Sequence, residues 1–331
     1  GATGQAPFKT VLTHGFIVDA KGKKMSKSLG NVISPEQIIR DYGADILRWW
    51  VASTNFKDDV SISQDILKQA RDSFGKVRNT IRFLISNLYD FDYETQYISP
   101  ENRETIDQFA INELHTLSAT LKDDHYKNFN FHKVTQDIHH FCSVTLSANY
   151  LDGVKDCLYC EASNSPKRKS TQSTMYDLAN TLIKLISPIL VFTAEDAYKH
   201  FNRPDKKKSV HLEQLLTTKE DDMGIADLMG MLYNQKSTIY KDLEIARQDG
   251  TINKILEAVV EFEIDPKFKT AIDWTQYLIV SAVIITEKEG ADTPQNIKIS
   301  KTPHPKCQRC WRHLPVNDNT VCERCDDAIS A

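Results

Sequence analysis

The sequence predicts a mainly α-helical protein built from several units: a short mixed segment, a helical bundle, a small α+β unit and a terminal metal module. Three observations predict it. Apolar residues recur every three or four positions through most of residues 60–202, the signature of amphipathic helices packed as a bundle. Two β-rich runs, "LEAVVEFEID" and "QYLIVSAVIIT", then break that period between about 250 and 290. Two C-x2-C pairs close the chain. At 331 residues it exceeds the roughly 100–200 residues of one domain, so several units are expected.

The elements follow in order. "KTVLT" (9–13) and "FIV" (16–18), separated by His14-Gly15, read as a strand entering a turn. A lysine-rich loop, "KGKKMSKSLGN" (21–31), comes next. In "SPEQIIRDYG" Ser34 is placed to cap, Pro35 to occupy the first helical position and Gly43 to stop a short helix. A second helix is expected over "ADILRWWVAS" (44–53), and a long one from Asp65, where Leu67, Ala70, Phe74, Val77, Ile81, Leu84 and Leu88 share a face. Helical periodicity returns around 104–122, 132–158 and 171–201, and again over 224–248. "GADTPQNIKISKTPHP" reads as a linker. The short charge runs Lys167-Arg168-Lys169 and Lys206-Lys207-Lys208 read as solvated loops.

Composition narrows the functional classes. A formal charge of -4 with 26% charged residues excludes a uniformly basic nucleic-acid binder, so any polyanion must meet local basic patches. The longest apolar run, "LIKLISPILVF", falls short of the roughly 20 residues a membrane span requires, and no membrane partner is expected. Gly1 stands where a Met is usual and no leader is evident, which points to a start removed by processing or by a boundary. Seven cysteines, an odd number with two close pairs, suit a reducing compartment better than a disulfide framework.

"CQRC" and "CERC" place Cys307, Cys310, Cys322 and Cys325 so that each pair grips one side of a tetrahedral ion. Four thiolates leave no open coordination position, so zinc here would be structural. Cys157 and Cys160 repeat the local spacing inside a helical pattern without a second pair, and core packing is their reading. Arg309, Arg312 and Trp311 either contact phosphate and stack on an unpaired base, or solvate the module and cover the sulfurs. Arg71, Arg78 and Arg82 along the first long helix stand between phosphate contact and a solvated face. The lysine loop, taken by composition, is either a solvated turn or a device whose ammonium groups and hydroxyls follow charge on a polyphosphate. It lacks the Gly-x4-Gly-Lys-Ser/Thr spacing of a P-loop.

Resemblance decides between these readings. "KMSKS" at 24–28 is similar to the signature loop of class I aminoacyl-tRNA synthetases, and "LGNVISPEQIIRDYGADILRWWVAS" resembles the isoleucyl type in particular. "KVRNTIRFLISNLYDF", "YLDGVKDCLYCEASNSPKRKSTQ", "DLEIAR" and "CQRCWRHLP" extend the likeness over nearly the whole chain. The resemblance implies the C-terminal end of a Rossmann-type catalytic domain (1–60), a helical anticodon-binding domain (61–205), a helix with a small α+β junction unit (206–300) and a zinc module (301–331). It implies isoleucine activation by ATP with Mg, then transfer to tRNA(Ile), by a monomer of the bacterial cytoplasm or an organellar matrix. Lys24 and Lys27 would stabilise the β- and γ-phosphates, Ser26 and Ser28 would hold the loop or the phosphates, and Gly15 and Phe16 would line the nucleotide. Arg71, Arg78, Arg82, Arg309, Trp311 and Arg312 would contact tRNA. The family's His-x-Gly-His motif does not occur in the sequence, so the chain is expected to be the C-terminal portion of such an enzyme. A valyl-type relative, or a tRNA-binding module without catalysis, are the alternatives.

Overall fold

Helices begin where the local sequence can satisfy their free amides. Ser34 Oγ accepts from the Gln37 amide at 3.2 Å, Pro35 opens helix α1 (Pro35–Tyr42), and Gly43 ends it with a φ of 95°. The structure is a computed structural model that describes residues 3–215, 223–318 and 320–330; residues 216–222 of the expected junction unit lie outside the described residues. Strand β1 (Ile17–Val18) pairs in parallel with β2 (Val60–Ser61). Residues 9–13, expected as a strand, form none. Val11 and Leu12 are 65% and 48% exposed, and a strand without a neighbouring ladder has no partner for its amides.

Helix α2 (Ala44–Ser53) buries Trp49 and Trp50 and fixes this segment to the bundle. Asp45 accepts from the Phe192 and Thr193 amides at 3.3 and 2.6 Å, while Arg48 donates to the Ile189 and Pro188 carbonyls at 2.7 and 2.9 Å. Those amides open helix α9 (Val191–His200), whose own N-cap, Leu190, makes no side-chain cap bond. The cap therefore comes from another element.

The bundle comprises α3 (Gln64–Ser86), α4 (Tyr93–Gln96), α5 (Thr105–Ala119), α6 (Phe131–His140), α7 (Asp152–Cys160), α8 (Pro166–Ile186) and α9 (Val191–His200). The expected run over 132–158 is continuous, but residues Phe141–Leu151 take the wider π form, as do Thr120–Tyr126. Pro188 lies in a break between α8 and α9, splitting the expected 171–201 helix. Helix α8 is the central element, buried along most of its length. Its polar stretch "STQST" is fully partnered: Ser170 with Asp107, Gln172 with the Asn87 carbonyl and Asp90, Ser173 with the Ile98 amide, Thr174 with Arg103. Burial of such groups is tolerable only with those bonds.

Of the two charge runs expected as solvated loops, 167–169 is helical and partnered, while in 206–208 only the Lys206 side chain is claimed and Lys207 and Lys208 are exposed in a loop. Arg168 is buried and pairs with Asp90 at 2.8 Å, and Lys167 reaches Asp273 of the α+β unit at 2.6 Å. Lys206 Nζ donates to the Lys199 and Phe201 carbonyls at 3.1 and 3.0 Å, closing the end of α9. Like charges in a short run signal a solvated face only when no distant acceptor claims them.

Helix α10 (Met223–Gln248) leads to a three-stranded sheet in the order β4-β3-β5. Strand β3 (Ala258–Ile264) alternates inward and outward residues, pairs in parallel with β4 (Ala282–Glu287) and antiparallel with β5 (Gln295–Lys301). Helices α11 (Pro266–Lys269) and α12 (Trp274–Leu278) cover the connection. Strand β5 replaces the expected linker: its "NIKIS" alternation is real but weakly apolar, because it pairs only with β3. "QYL" is helical rather than strand, capped by Asp273 onto the Gln276 amide. Among the described residues, no helix is long and apolar enough to cross a membrane.

Asp107 sits in the bundle core, 0% exposed, accepting from Tyr150 at 2.5 Å, Ser170 at 2.6 Å and Thr171 at 3.3 Å. Burial pushes its carboxyl up to about 6, against the lowering effect of Ser170 and Tyr150. A folded pKa above the unfolded one means the stabilisation is full below about pH 4 and is lost as pH rises through about 6. Urea unfolding of the chain and of Asp107→Asn across pH 4 to 7 should give stability curves whose separation changes by about 3 kcal/mol over that interval. Parallel curves would show that Asp107 ionises normally.

Candidate functional site

The lysine loop is held at its base and free at its tips. Asp19 Oδ1 accepts from the Lys21 and Lys23 amides, each at 2.9 Å, and its backbone closes the same turn with Gly22 and Lys23. Asn31 spans the other side, donating to Asp19 Oδ2 at 2.9 Å and accepting from the Ser26 amide at 2.9 Å. The Asn31 hydrogen bond and then the Lys23 amide hold the Asp19 carboxyl below the usual carboxylate range. Sequence reasoning passed over both residues. The signal lay in an Asp ahead of Lys-Gly and an Asn directly after Gly30, both turn formers that bond their own backbone.

Ser26 and Ser28 serve the loop's own shape. Ser26 Oγ accepts from the Leu29 amide at 3.3 Å, capping a 3-10 turn over Lys27–Leu29, and lies 3.1 Å from Ser28 Oγ. Gly30 ends that turn in the left-handed region with φ 64°, where glycine carries no steric cost. Met25 packs against the core, so the loop is anchored between its two key lysines. Lys24 Nζ lies 4.9 Å from the Phe16 ring centroid, while Lys27 is exposed. Among the described residues neither lysine forms an ion pair.

Gly15 and Phe16 belong to the same face of the segment. Gly15 donates to the Phe56 carbonyl at 2.8 Å and passes so near Asp58 that a Cβ would stand 2.2 Å from its carbonyl oxygen. The Phe16 amide donates to Asp59 at 2.8 Å and its ring is exposed. Phe16 thus meets Lys24, whereas Gly15 serves close backbone packing.

At the other end of the chain, Cys307, Cys310, Cys322 and Cys325 are all buried, with their sulfurs within 4.8 Å of one another. Cys310 Sγ and Cys322 Sγ are 3.8 Å apart, matching the edge of about 3.8 Å that a tetrahedron with 2.3 Å zinc–sulfur bonds requires. The Cys322 amide points at Cys307 Sγ from 3.3 Å. Burial raises the Cys307 thiol, but amides of Cys310, Cys322 and Arg309 outweigh it and bring it down to about 6, favouring thiolate. The donor set fits a zinc ion.

The basic residues around this cluster divide. Arg312 pairs with Asp156 of α7 at 3.1 Å, and Arg309 Nη1 donates to the Cys160 carbonyl. Both arginines thus have partners within the chain, and both are half-buried. Trp311, with φ 67°, is 59% exposed and carries Lys306 Nζ at 4.9 Å from its ring, so it does not lie buried over the sulfurs. Cys157 packs inside the bundle as expected, 3.8 Å from Thr171 Oγ1. Cys160 differs: it belongs to the cysteine cluster's own core and donates to the Arg309 carbonyl at 3.9 Å. Of the pair that local spacing left without a neighbour, Cys160 alone acquires one by folding.

On α3, Arg71 pairs with neighbouring Asp72 at 3.1 Å. Arg78 and Arg82 instead line an open cavity of about 790 Å³ with Tyr93, Tyr176, His200 and Arg203. The three arginines do not act as one patch.

Comparison with known proteins bears on this arrangement. The family described as tRNA synthetases class I (I, L, M and V) matches residues 1–63, and the anticodon-binding domain of tRNA ligase matches residues 107–262. The isoleucine–tRNA ligase of Carboxydothermus hydrogenoformans is 42% identical over 94% of this chain and 35% of its own length. Isoleucine–tRNA ligase 1 of Oceanobacillus iheyensis is 39% identical over 99% of this chain and 37% of its own, and the Petrotoga mobilis enzyme 38% identical over 97% and 37%. The chain therefore spans about a third of the length of the curated relatives it matches. Among solved structures, the ternary LeuRS–tRNA–LeuAMS complex of Agrobacterium radiobacter K84 aligns with a TM-score of 0.48 at 14% identity, over 88% of this chain and 27% of that one.

The Asp19–Asn31 staple makes a local prediction. Asn31→Ala removes bonds to both sides of the loop, at about 1 kcal/mol or more each, so amide exchange over residues 24–28 should rise at least tenfold with little change in the global midpoint. Unaltered exchange would mean that the loop is ordered by Met25 packing alone.

Proposed function

We propose, from the premise that this chain belongs to the isoleucine–tRNA ligase family of class I synthetases, that it supplies the phosphate-handling loop and the tRNA-binding region of an enzyme that charges tRNA(Ile). The observation that carries this reading is the pair Lys24 and Lys27, presented on a loop stapled by Asp19 and Asn31 and unpaired with any described carboxylate. In the reaction, an isoleucine carboxylate oxygen attacks the α-phosphorus of Mg-bound ATP and pyrophosphate leaves. A terminal ribose hydroxyl of the tRNA then attacks the acyl carbon and AMP leaves. Lys24 and Lys27 neutralise charge on the departing β- and γ-phosphates, with Lys27 the freer of the two to follow it. Ser26 and Ser28 act by shaping the loop, which supports their holding role over direct phosphate contact. Phe16 lies on the nucleotide side beside Lys24.

The remaining units divide as 61–205 for the anticodon-binding bundle, 206–300 for the junction unit and 301–331 for the zinc module, behind a catalytic segment at 1–60. Cys307, Cys310, Cys322 and Cys325 would hold a zinc ion that supplies folding energy to a module too small for a core of its own. Arg78, Arg82 and Trp311 are the tRNA contacts favoured by exposure and by the absence of described ion pairs, with Arg71 secondary because Asp72 competes for it. We assign Arg309 and Arg312 to holding the module in place. The bacterial relatives support the bacterial cytoplasm as its setting, and a monomer is our reading of its state.

A second reading is a tRNA-binding module without catalysis. The match of the anticodon-binding family over residues 107–262, against residues 1–63 for the synthetase family, favours it in one respect. Isoleucine-dependent exchange of pyrophosphate into ATP separates the two.

In the full-length protein, Lys27→Ala should slow that exchange about a hundredfold, as loss of one preorganised charge donor costs about 3 kcal/mol. The Michaelis constant for isoleucine should stay within about threefold. A change confined to that constant would remove Lys27 from phosphate chemistry. Binding of a tRNA(Ile) transcript to the chain should weaken linearly in log–log terms as salt rises, and Arg82→Gln should reduce the slope by about one. Salt-independent binding would remove the phosphate contacts.

A further inference from the structure

Three arginines fasten the cysteine module to helix α7, and each lies within two residues of a cysteine in sequence. Arg309 stands between Cys307 and Cys310, Arg312 follows Cys310 by two, and Arg324 stands between Cys322 and Cys325. Arg324 forks onto both oxygens of Asp156 at 2.7 and 2.8 Å and reaches Glu161 at 3.2 Å. Arg312 Nη2 joins the same carboxylate at 3.1 Å. Arg309 caps the last carbonyl of α7, that of Cys160, whose thiol donates back to the Arg309 carbonyl at 3.9 Å. Asp156 therefore receives one guanidinium from each cysteine pair.

This convergence has a geometric condition. Arg312 and Arg324 belong to separate knuckles joined by an eleven-residue loop between Cys310 and Cys322, and both reach Asp156 only while the knuckles keep one relative placement. Four thiolates gathered on one ion would fix that placement; without it, among the described residues the apolar groups beside the four cysteines are only Val321, Cys160 of α7 and the partly buried Leu314 and Val316. The ion pairs are not ordinary surface pairs of negligible worth. The Arg312 side chain is 12% exposed and Asp156 21%, and the Arg324 fork is bidentate, the strong form of the contact. Burial raises the Asp156 carboxyl, but Arg324 and Arg312 outweigh it and keep it below the usual range.

We propose that Asp156 is a positioning residue that locks the closed, metal-loaded state of the cysteine module onto the helical bundle, and so sets where Trp311 and Lys306 are presented to RNA. The last step rests on the function proposed above; the lock itself does not. Metal occupancy is then communicated to helix α7 through arginines, not through the ion.

The test is hydrogen exchange over residues 152–160 in the chain, with zinc and after chelation, for the wild type, Asp156→Asn and Arg324→Lys, each with its zinc content measured. Chelation should raise exchange in that segment of the wild type about tenfold or more. Asp156→Asn, still holding one zinc, should show the same rise beforehand and no further rise on chelation, and Arg324→Lys, which keeps the charge without the fork, should lie between. Exchange indifferent to chelation, or a chelation effect that adds in full to Asp156→Asn, overturns the lock. Should Asp156→Asn lose its zinc, zinc-loaded Arg324→Lys decides, and exchange equal to wild type overturns it. Affinity for a tRNA(Ile) transcript should fall five- to tenfold for either perturbation and no further for both. If exchange behaves as expected but that affinity does not move, the lock stands and the RNA role of Trp311 is removed.

Discussion

The contact between helix α2 and the turn that starts α9 determines where everything before residue 60 sits. Asp45 takes two amides of α9 and Arg48 takes two carbonyls of the preceding turn, so donors and acceptors of one exposed backbone stretch are satisfied by residues three apart on a single helix. An N-cap is worth about 1 kcal/mol and hydrogen bonds to charged groups about 1.5–3 kcal/mol each. That is a sizeable share of the 5–15 kcal/mol that holds a domain. Through α1 and α2 the lysine loop is tied to a turn of the bundle, residues 188–193, more than a hundred residues further along the chain. Trp49 and Trp50 then seal the apolar side of the joint.

The same economy of partners explains which parts were legible in the sequence. Ser34, Pro35 and Gly43 announced helix α1 because capping is a local matter of three or four residues. The apolar face of α3 and the C-x2-C spacing were legible for the same reason, since the information lies within one or two turns of chain. Strand β5 was not, because "QNIKISK" pairs with a strand more than thirty residues earlier and carries few apolar side chains of its own. The π stretches of Thr120–Tyr126 and Phe141–Leu151 left no trace in a periodicity that cannot separate 3.6 from slightly wider turns.

The charged residues show the limit most clearly. Arg168, Lys167, Arg309 and Arg312 each read as solvent-facing by composition, and each is claimed by an acceptor about ten to a hundred and fifty residues away. A basic residue in sequence says only that an acceptor or water must be found for it. Arg78, Arg82, Lys27 and Lys306 remain without ion pairs among the described residues, with Arg78 and Arg82 facing an open cavity and Lys306 lying over the Trp311 ring. Asp19 and Asn31, which were overlooked, have short polar side chains whose effect is exerted on their own backbone.

The loop also shows how a site can combine order with compliance. A charge donor fixed at both ends would hold phosphate well in one state and poorly in the next, while a donor on a free chain would give up the entropy of ordering at each encounter. Here the backbone at the base is ordered in advance by Asp19, Asn31, Ser26 and the partly buried Met25, while the side chains of Lys24 and Lys27 are exposed. Phe16 restrains Lys24 further through its ring face, so the two lysines are unequal before any ligand arrives. An asymmetric pair suits a polyphosphate that starts bound and ends departing. On the function proposed above, Lys24 would be the better preorganised for the bound form, and Lys27 would have the reach to follow the charge as it moves away.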